Sequence, residues 1–193
     1  MTRTFPVNIS LSAAACIGGC LLILLAPLHL VFSFYIAATI HELFHILALQ
    51  RFHVPIYSIS IGINGAAIHS APLAPGEEFL CAAAGPLGSF ICLLLLRAAP
   101  TIALCGLIQG IYNLLPVYPM DGGRMIRCLC QRYCPHRSDS ICRAAAVITV
   151  LLLCSFCIYL YLRSSDYLYC VIALYFLFQT CLKRKIPCKE HRY

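Results

Sequence analysis

Charge is scarce in this chain. Only 11% of its 193 residues are charged, against roughly 25% in ordinary soluble domains, which excludes a soluble globular fold. No internal repeat is visible, which counts against a transporter built from duplicated halves. No low-complexity linker marks a domain boundary. No small-x-small cleavage site follows the first apolar run, so that run reads as a retained span and not a signal peptide. Acidic side chains number seven: Glu42, Glu77, Glu78, Asp121, Asp139, Asp166 and Glu190. Of these, only Glu42 and Asp121 lie within or at the edge of apolar runs.

What is abundant is apolar sequence, 61% of the chain, arranged in runs of about 20 residues that suit a bilayer. The expected fold class is an all-α polytopic membrane protein. Six transmembrane helices are expected, at 9–26, 30–50, 78–97, 101–122, 143–162 and 167–182. The residues 1–193 read as a single domain, with no space for a large extramembrane part. The net charge of +7 does not point to nucleic acid, because the basic residues flank the spans. With the N-terminus inside, inner segments carry Arg3, Arg51, Arg124, Arg127, Arg132, Arg137, Arg143, Lys183, Arg184, Lys185, Lys189 and Arg192. Outer loops carry only Arg97 and Arg163. This asymmetry predicts a multi-pass cell-membrane protein with both termini cytoplasmic.

The fourteen cysteines are scattered through the spans and behave there as small apolar residues. A disulfide framework is not expected. Cys128, Cys130, Cys134 and His136 resemble a metal cluster in composition, but their spacing fits no standard zinc pattern; solvated thiols are the simpler reading.

Between the second and third spans the texture changes. Ile56-Tyr57-Ser58-Ile59-Ser60-Ile61-Gly62-Ile63 alternates apolar and small polar residues, and Asn64-Gly65 follows. Period-two alternation ending in Asn-Gly predicts a β-hairpin. A lone hairpin is marginal in water, so it is expected to pack against the membrane helices.

Three ionisable residues stand inside the second span, in His41-Glu42-Leu43-Phe44-His45. Ionisable groups at membrane depth are costly and mark function. The H-E-x-x-H pattern sets two imidazoles one turn apart on one helix face, able to share a zinc ion, with Glu42 placed to act on a water. Zinc also needs a third protein ligand, and no His or Glu follows at soluble-protease spacing. Asp121 is the candidate, in Asn113-Leu114-Leu115-Pro116-Val117-Tyr118-Pro119-Met120-Asp121-Gly122-Gly123. Taken alone, Asp121 would read as a turn residue before Gly-Gly. The two prolines and two glycines are expected to break the fourth span, and irregular backbone at membrane depth is tolerated where it lines a watery cavity. In the expected topology both motifs fall near the cytoplasmic face. His29, His53, His69 and His136 read as loop or interface residues.

These residues resemble the site-2 protease family of intramembrane zinc metalloproteases, whose hallmarks are H-E-x-x-H in one span and N-x-x-P-x-x-x-x-D-G in a later one. Both are matched in full, at His41–His45 and Asn113–Gly122. The hairpin and Ala84-Gly85-Pro86 are also family-like, and the resemblance covers about residues 30–130. The resemblance implies one Zn²⁺ per chain held by His41, His45 and Asp121, with Glu42 as general base. It implies a substrate-binding or site-steadying role for Asn113, and a membrane-tethered protein as substrate. The edge of the strand around Ile59 and Ile61 is expected to pair with the unwound substrate as an added strand. The six-span layout resembles the bacterial branch that includes sporulation stage IV protein FB, which activates a membrane-tethered sigma-factor precursor. Regulatory membrane proteins are expected partners beside the lipid bilayer, and nucleic acid is not. Two departures are expected from this reading: no C-terminal nucleotide-binding domain and no PDZ insertion. Ser89 also stands where the family pattern leads one to expect Asn. Two readings from other classes remain: a membrane zinc transporter or sensor, and a catalytically inactive membrane scaffold. Neither accounts for a glutamate placed for general-base chemistry.

Overall fold

The computed structural model describes residues 8–62, 65–164 and Leu174. The expected sixth span and the basic tail lie outside the described residues, Leu174 apart, as do Ile63 and Asn64 of the expected hairpin turn. The chain divides into two compact units, one running to Asn113 and the other from Leu114.

The first unit opens with strand β1 (Asn8–Leu11) and helix α1 (Ala13–Leu25), then α2 (Leu28–Arg51). Strands β2 (Ile56–Gly62) and β3 (Gly65–Ser70) follow, then α3 (Pro75–Ile91), a 3-10 turn over Cys92–Leu95 and α4 (Pro100–Asn113). Local chemistry sets the boundaries. Ser12 Oγ accepts from the Ala15 N–H at 3.1 Å and starts α1. Pro27 stands between α1 and α2. His53 ends α2 by taking a left-handed conformation (φ 55°), and the Val54 N–H then reaches back to the Leu49 carbonyl. Pro75 occupies the first turn of α3, where its missing N–H costs nothing.

The expected hairpin is present as β2 and β3, paired antiparallel with Ile59 opposite Ile68 and Ile61 opposite Ala66. It is part of a larger sheet. Strand β1 pairs parallel to β2, with Ile9 beside Ile59 and Leu11 beside Ile61, so the order is β1-β2-β3 and β2 is central. Asn8–Leu11 therefore begins as strand, where the sequence led us to expect the start of the first span. The sheet's inner face joins the bundle through Ile68, buried with Leu49 of α2 and Cys81 of α3.

Helices α2, α3 and α4 pack on one another. Their contact faces are made of small residues: Gly85, Gly88 and Ser89 on α3, and Ala103, Gly106 and Gly110 on α4. In lipid, close backbone approach between such residues replaces the missing hydrophobic drive. A Cβ on Gly106 would lie 2.6 Å from the Ser89 carbonyl oxygen and from Cys92 Cβ, and one on Gly110 would lie 2.8 Å from the Phe90 ring. Ser33 of α2 adds a polar link, its Oγ 3.0 Å from Thr101 Oγ1 of α4.

The second unit begins with the irregular stretch 114–120, followed by α5 (Asp121–Tyr133), a 3-10 turn over Pro135–Arg137 and α6 (Ser138–Ser164). The outer face of α6 is apolar and exposed, with Leu151, Leu152, Phe156 and Leu162 all open, as befits a lipid-facing surface.

Among the described residues three helices are long and apolar enough to cross a membrane: Leu28–Arg51, Pro75–Leu95 and Pro135–Ser164. Helix α1 is apolar but shorter, and α4 has 14 residues. The expected fourth span ends at Asn113, not at residue 122, and α5 is a separate helix.

Substituting Gly106→Val should drive α4 away from α3. A loss of about 1–3 kcal/mol is expected, read as a lowered thermal midpoint in detergent, whereas Gly76→Val, where nothing lies within 4 Å of an added Cβ, should show no such loss from crowding.

Candidate metal centre

His41 and His45 sit one turn apart on the buried face of α2, only 3% and 8% exposed. An imidazole has two nitrogens, and both need partners when buried. Helix α3 supplies one partner for each ring. His45 Nδ1 lies 2.8 Å from the Cys81 carbonyl oxygen. A carbonyl only accepts, so this nitrogen carries the proton. His41 Nδ1 lies 2.8 Å from Ser89 Oγ, and Ser89 is fully buried.

With the Nδ1 atoms so engaged, the two Nε2 atoms converge to 3.2 Å. The rings meet edge to face, with centroids 4.8 Å apart. Two nitrogens bound to one tetrahedral zinc are separated by roughly 3.4 Å, so the pair is spaced for a shared cation.

Gly85 makes this arrangement fit. A Cβ there would run into the His45 ring and come within 2.7 Å of His41 Nε2. Cys81, Gly85 and Ser89 lie at four-residue intervals on α3, one stripe facing the two histidines. Phe44, inside the H-E-x-x-H motif, closes on the next position of α3, since a Cβ on Gly88 would lie 2.6 Å from its ring. Glu42 is half-buried on α2.

In the second unit, Asp121 is the first residue of α5, not a turn residue, and is 6% exposed. A carboxylate in the first helical turn is favoured by the helix dipole. Arg124, one turn on and equally buried, places Nη1 3.6 Å from Asp121 Oδ1. The residues around Asp121 show why Gly-Gly follows it. The stretch 114–118 folds back over the start of α5. A Cβ on Gly122 would strike the Leu114 carbonyl and lie 2.7 Å from Leu115 O, and one on Gly123 would lie 2.6 Å from Tyr118 N.

His41 and His45 in the first unit and Asp121 in the second are each buried, and each offers one ligand atom. Cys128, Cys130, Cys134 and His136 form no group of candidate metal ligands among the described residues. Asn113 is half-buried at the last position of α4. Ile59 is half-buried and Ile61 exposed on β2. Because β2 is central, its backbone there is paired on both sides, and the Ile61 carbonyl also accepts from the Ser12 N–H. This strand therefore has no open edge at Ile59 and Ile61, contrary to the expectation of strand addition at these residues. What the sequence reading missed is the α3 stripe. Ser89 drew notice only as a mismatch; its four-residue spacing from Gly85 was the available signal.

The model of peptidase family M50 matches residues 96–156, a stretch that holds Asn113 and Asp121 but not the histidine pair. A curated zinc metalloprotease of Methanocaldococcus jannaschii is 28% identical over 109 residues, covering 49% of this chain and 32% of that protein. The chain thus aligns with about a third of its curated relative. The solved structure of a site-2 protease from Methanocaldococcus jannaschii superposes with a TM-score of 0.65 at 20% identity, covering 100% of this chain and 98% of that one. This likeness establishes the fold.

Replacing Gly85 with Ala should displace both imidazoles. Zinc affinity is expected to fall at least about tenfold, measured by metal content after purification beside the wild type. Alongside the H-E-x-x-H and N-x-x-P-x-x-x-x-D-G motifs, the chain is similar to peptidase family M50 over residues 96–156, to a curated zinc metalloprotease over 109 residues, and in fold to a solved site-2 protease.

Proposed function

We propose that the chain is a zinc-dependent endopeptidase that hydrolyses peptide bonds within or near transmembrane segments of membrane-tethered proteins. The observation that carries this reading is the His41–His45 pair. Two buried imidazoles converge on one point through Nε2, inside a helix apolar enough to span a bilayer, with a glutamate between them in sequence. A structural histidine pair would have no need of that glutamate.

His41, His45 and Asp121 would hold one zinc ion, each offering one ligand atom. The donor set fits: two imidazole nitrogens and a carboxylate are ligands that zinc accepts. The ion supplies Lewis acidity, lowering the pKa of water at the site towards about 7 and polarising the scissile carbonyl. Glu42 takes the proton of the attacking water and delivers it to the leaving amine. Arg124 and the start of α5 hold the Asp121 carboxylate in place.

A transmembrane helix conceals its peptide groups in its own hydrogen bonds, so the substrate must unwind first. In this reading Asn113 hydrogen-bonds the unwound backbone. Ile59 and Ile61 contribute apolar side-chain contacts and not a backbone edge. The charge asymmetry supports six spans with both termini cytoplasmic. Resemblance to the sporulation branch supports a bacterial membrane and makes a sigma-factor precursor one candidate substrate. Regulatory membrane proteins are further partners in this reading.

The test compares zinc content and cleavage of a panel of single-span membrane proteins. Glu42→Gln should keep about one zinc and lose roughly 10²–10⁴-fold in cleavage. Asp121→Ala should lose both zinc and cleavage. Cleavage by Glu42→Gln at the wild-type rate would remove the proposed mechanism. Full zinc in Asp121→Ala would remove that residue from the ligand set.

A further inference from the structure

We propose that Ser89 is a positioning residue for the metal centre, fixing the ring plane and tautomer of His41 so that Nε2 faces the ion. The inference deepens the proposed function and rests on it. Its basis is one hydrogen bond and the enclosure around it. Ser89 Oγ lies 2.8 Å from His41 Nδ1, and Ser89 has no exposed surface.

The two histidines are held in different ways. The Cys81 carbonyl can only accept, so His45 has one tautomer open to it, with the proton on Nδ1. A backbone acceptor cannot be altered by side-chain mutation. His41 faces a hydroxyl, which donates or accepts. In the metal-ready state His41 Nδ1–H donates and Ser89 Oγ accepts. Ser89 therefore satisfies His41 without requiring a charged partner at membrane depth.

Gly85 presents no side chain, which gives the rings room but no grip. Ser89 is the side chain of α3 that supplies the grip, and Cys81 supplies it through its backbone for the other ring. Partners that orient metal-bound histidines commonly account for about 10–100-fold in metal affinity.

The test uses the full chain in detergent. Zinc affinity is measured by competition with a chromophoric chelator, and Co²⁺ is used as a spectroscopic probe. Ser89→Ala should bind zinc about 10–100-fold more weakly than wild type and show an altered Co²⁺ visible spectrum, while the metal-free protein melts at a similar temperature. Ser89→Asn, whose side-chain carbonyl restores an acceptor, should recover part of the affinity. Ser33→Ala removes a comparable buried hydroxyl contact, to Thr101, away from the histidines, and should leave zinc affinity unchanged. Wild-type affinity and spectrum in Ser89→Ala would overturn the inference. So would an equal loss in Ser33→Ala, which would mark a general packing effect. A wild-type protein that binds no zinc would instead remove the metalloprotease reading itself, so the two failures are separable.

Discussion

Two imidazoles inside an apolar helix create a requirement that shapes everything packed against them. Each ring must place one nitrogen on the functional point and still satisfy the other without water, since an unmet polar group at this depth costs several kcal/mol. The chain meets this with a single neighbouring helix. One carbonyl and one hydroxyl, eight residues apart on α3, take the two Nδ1 atoms. For them to reach, the helices must approach until no Cβ fits between them, and Gly85 stands at that point. The small-residue character of α3 follows, and so does that of α4, whose Gly106 and Gly110 accept the far side of α3 at similar closeness.

The same logic of crowding operates in the second unit for a different group. Asp121 carries its carboxylate at the start of a helix, where exposed N–H groups favour an anion. Placing it there needs a sharp reversal just upstream. The chain turns through Leu115 and Val117, closed by short backbone bonds from Val117 to Leu115 and from Met120 to Val117. The returning segment lies directly on the first turn of α5, and only glycine fits at positions 122 and 123. The Asp-Gly-Gly triplet is thus a packing solution around a buried carboxylate, with Arg124 held next to the Asp121 that precedes it by one turn of the helix.

The sequence displayed its chemistry more clearly than its architecture. His41, Glu42 and His45 were legible because ionisable residues in an apolar run have few structural explanations, and β2 and β3 because period-two alternation meets a turn signal. Strand β1 was not legible. Asn8–Leu11 is four residues that run into an apolar helix, and its partner lies fifty residues away in parallel register; no local periodicity encodes such a pairing. Helix α5 was lost for the opposite reason. Its glycines and charges resemble a loop, and its helicity depends on the segment that packs over its first turn. Ser89 looked like a departure from a family pattern because the eye compared letters, whereas the relevant property was an acceptor four residues beyond Gly85.

The central position of β2 changes what the sheet can offer a substrate. A strand with both edges paired has no main-chain groups left to recruit an extended peptide, so Ile59 and Ile61 present only side chains. Ile61 is exposed and Ile59 half-buried, giving an apolar surface of small area beside alternating serines. Such a surface is tolerant of sequence, because apolar contact is non-directional. Main-chain recognition would be equally tolerant but would demand an extended strand from the outset. A segment that arrives helical can meet such a surface through a side chain before any backbone hydrogen bond is exchanged.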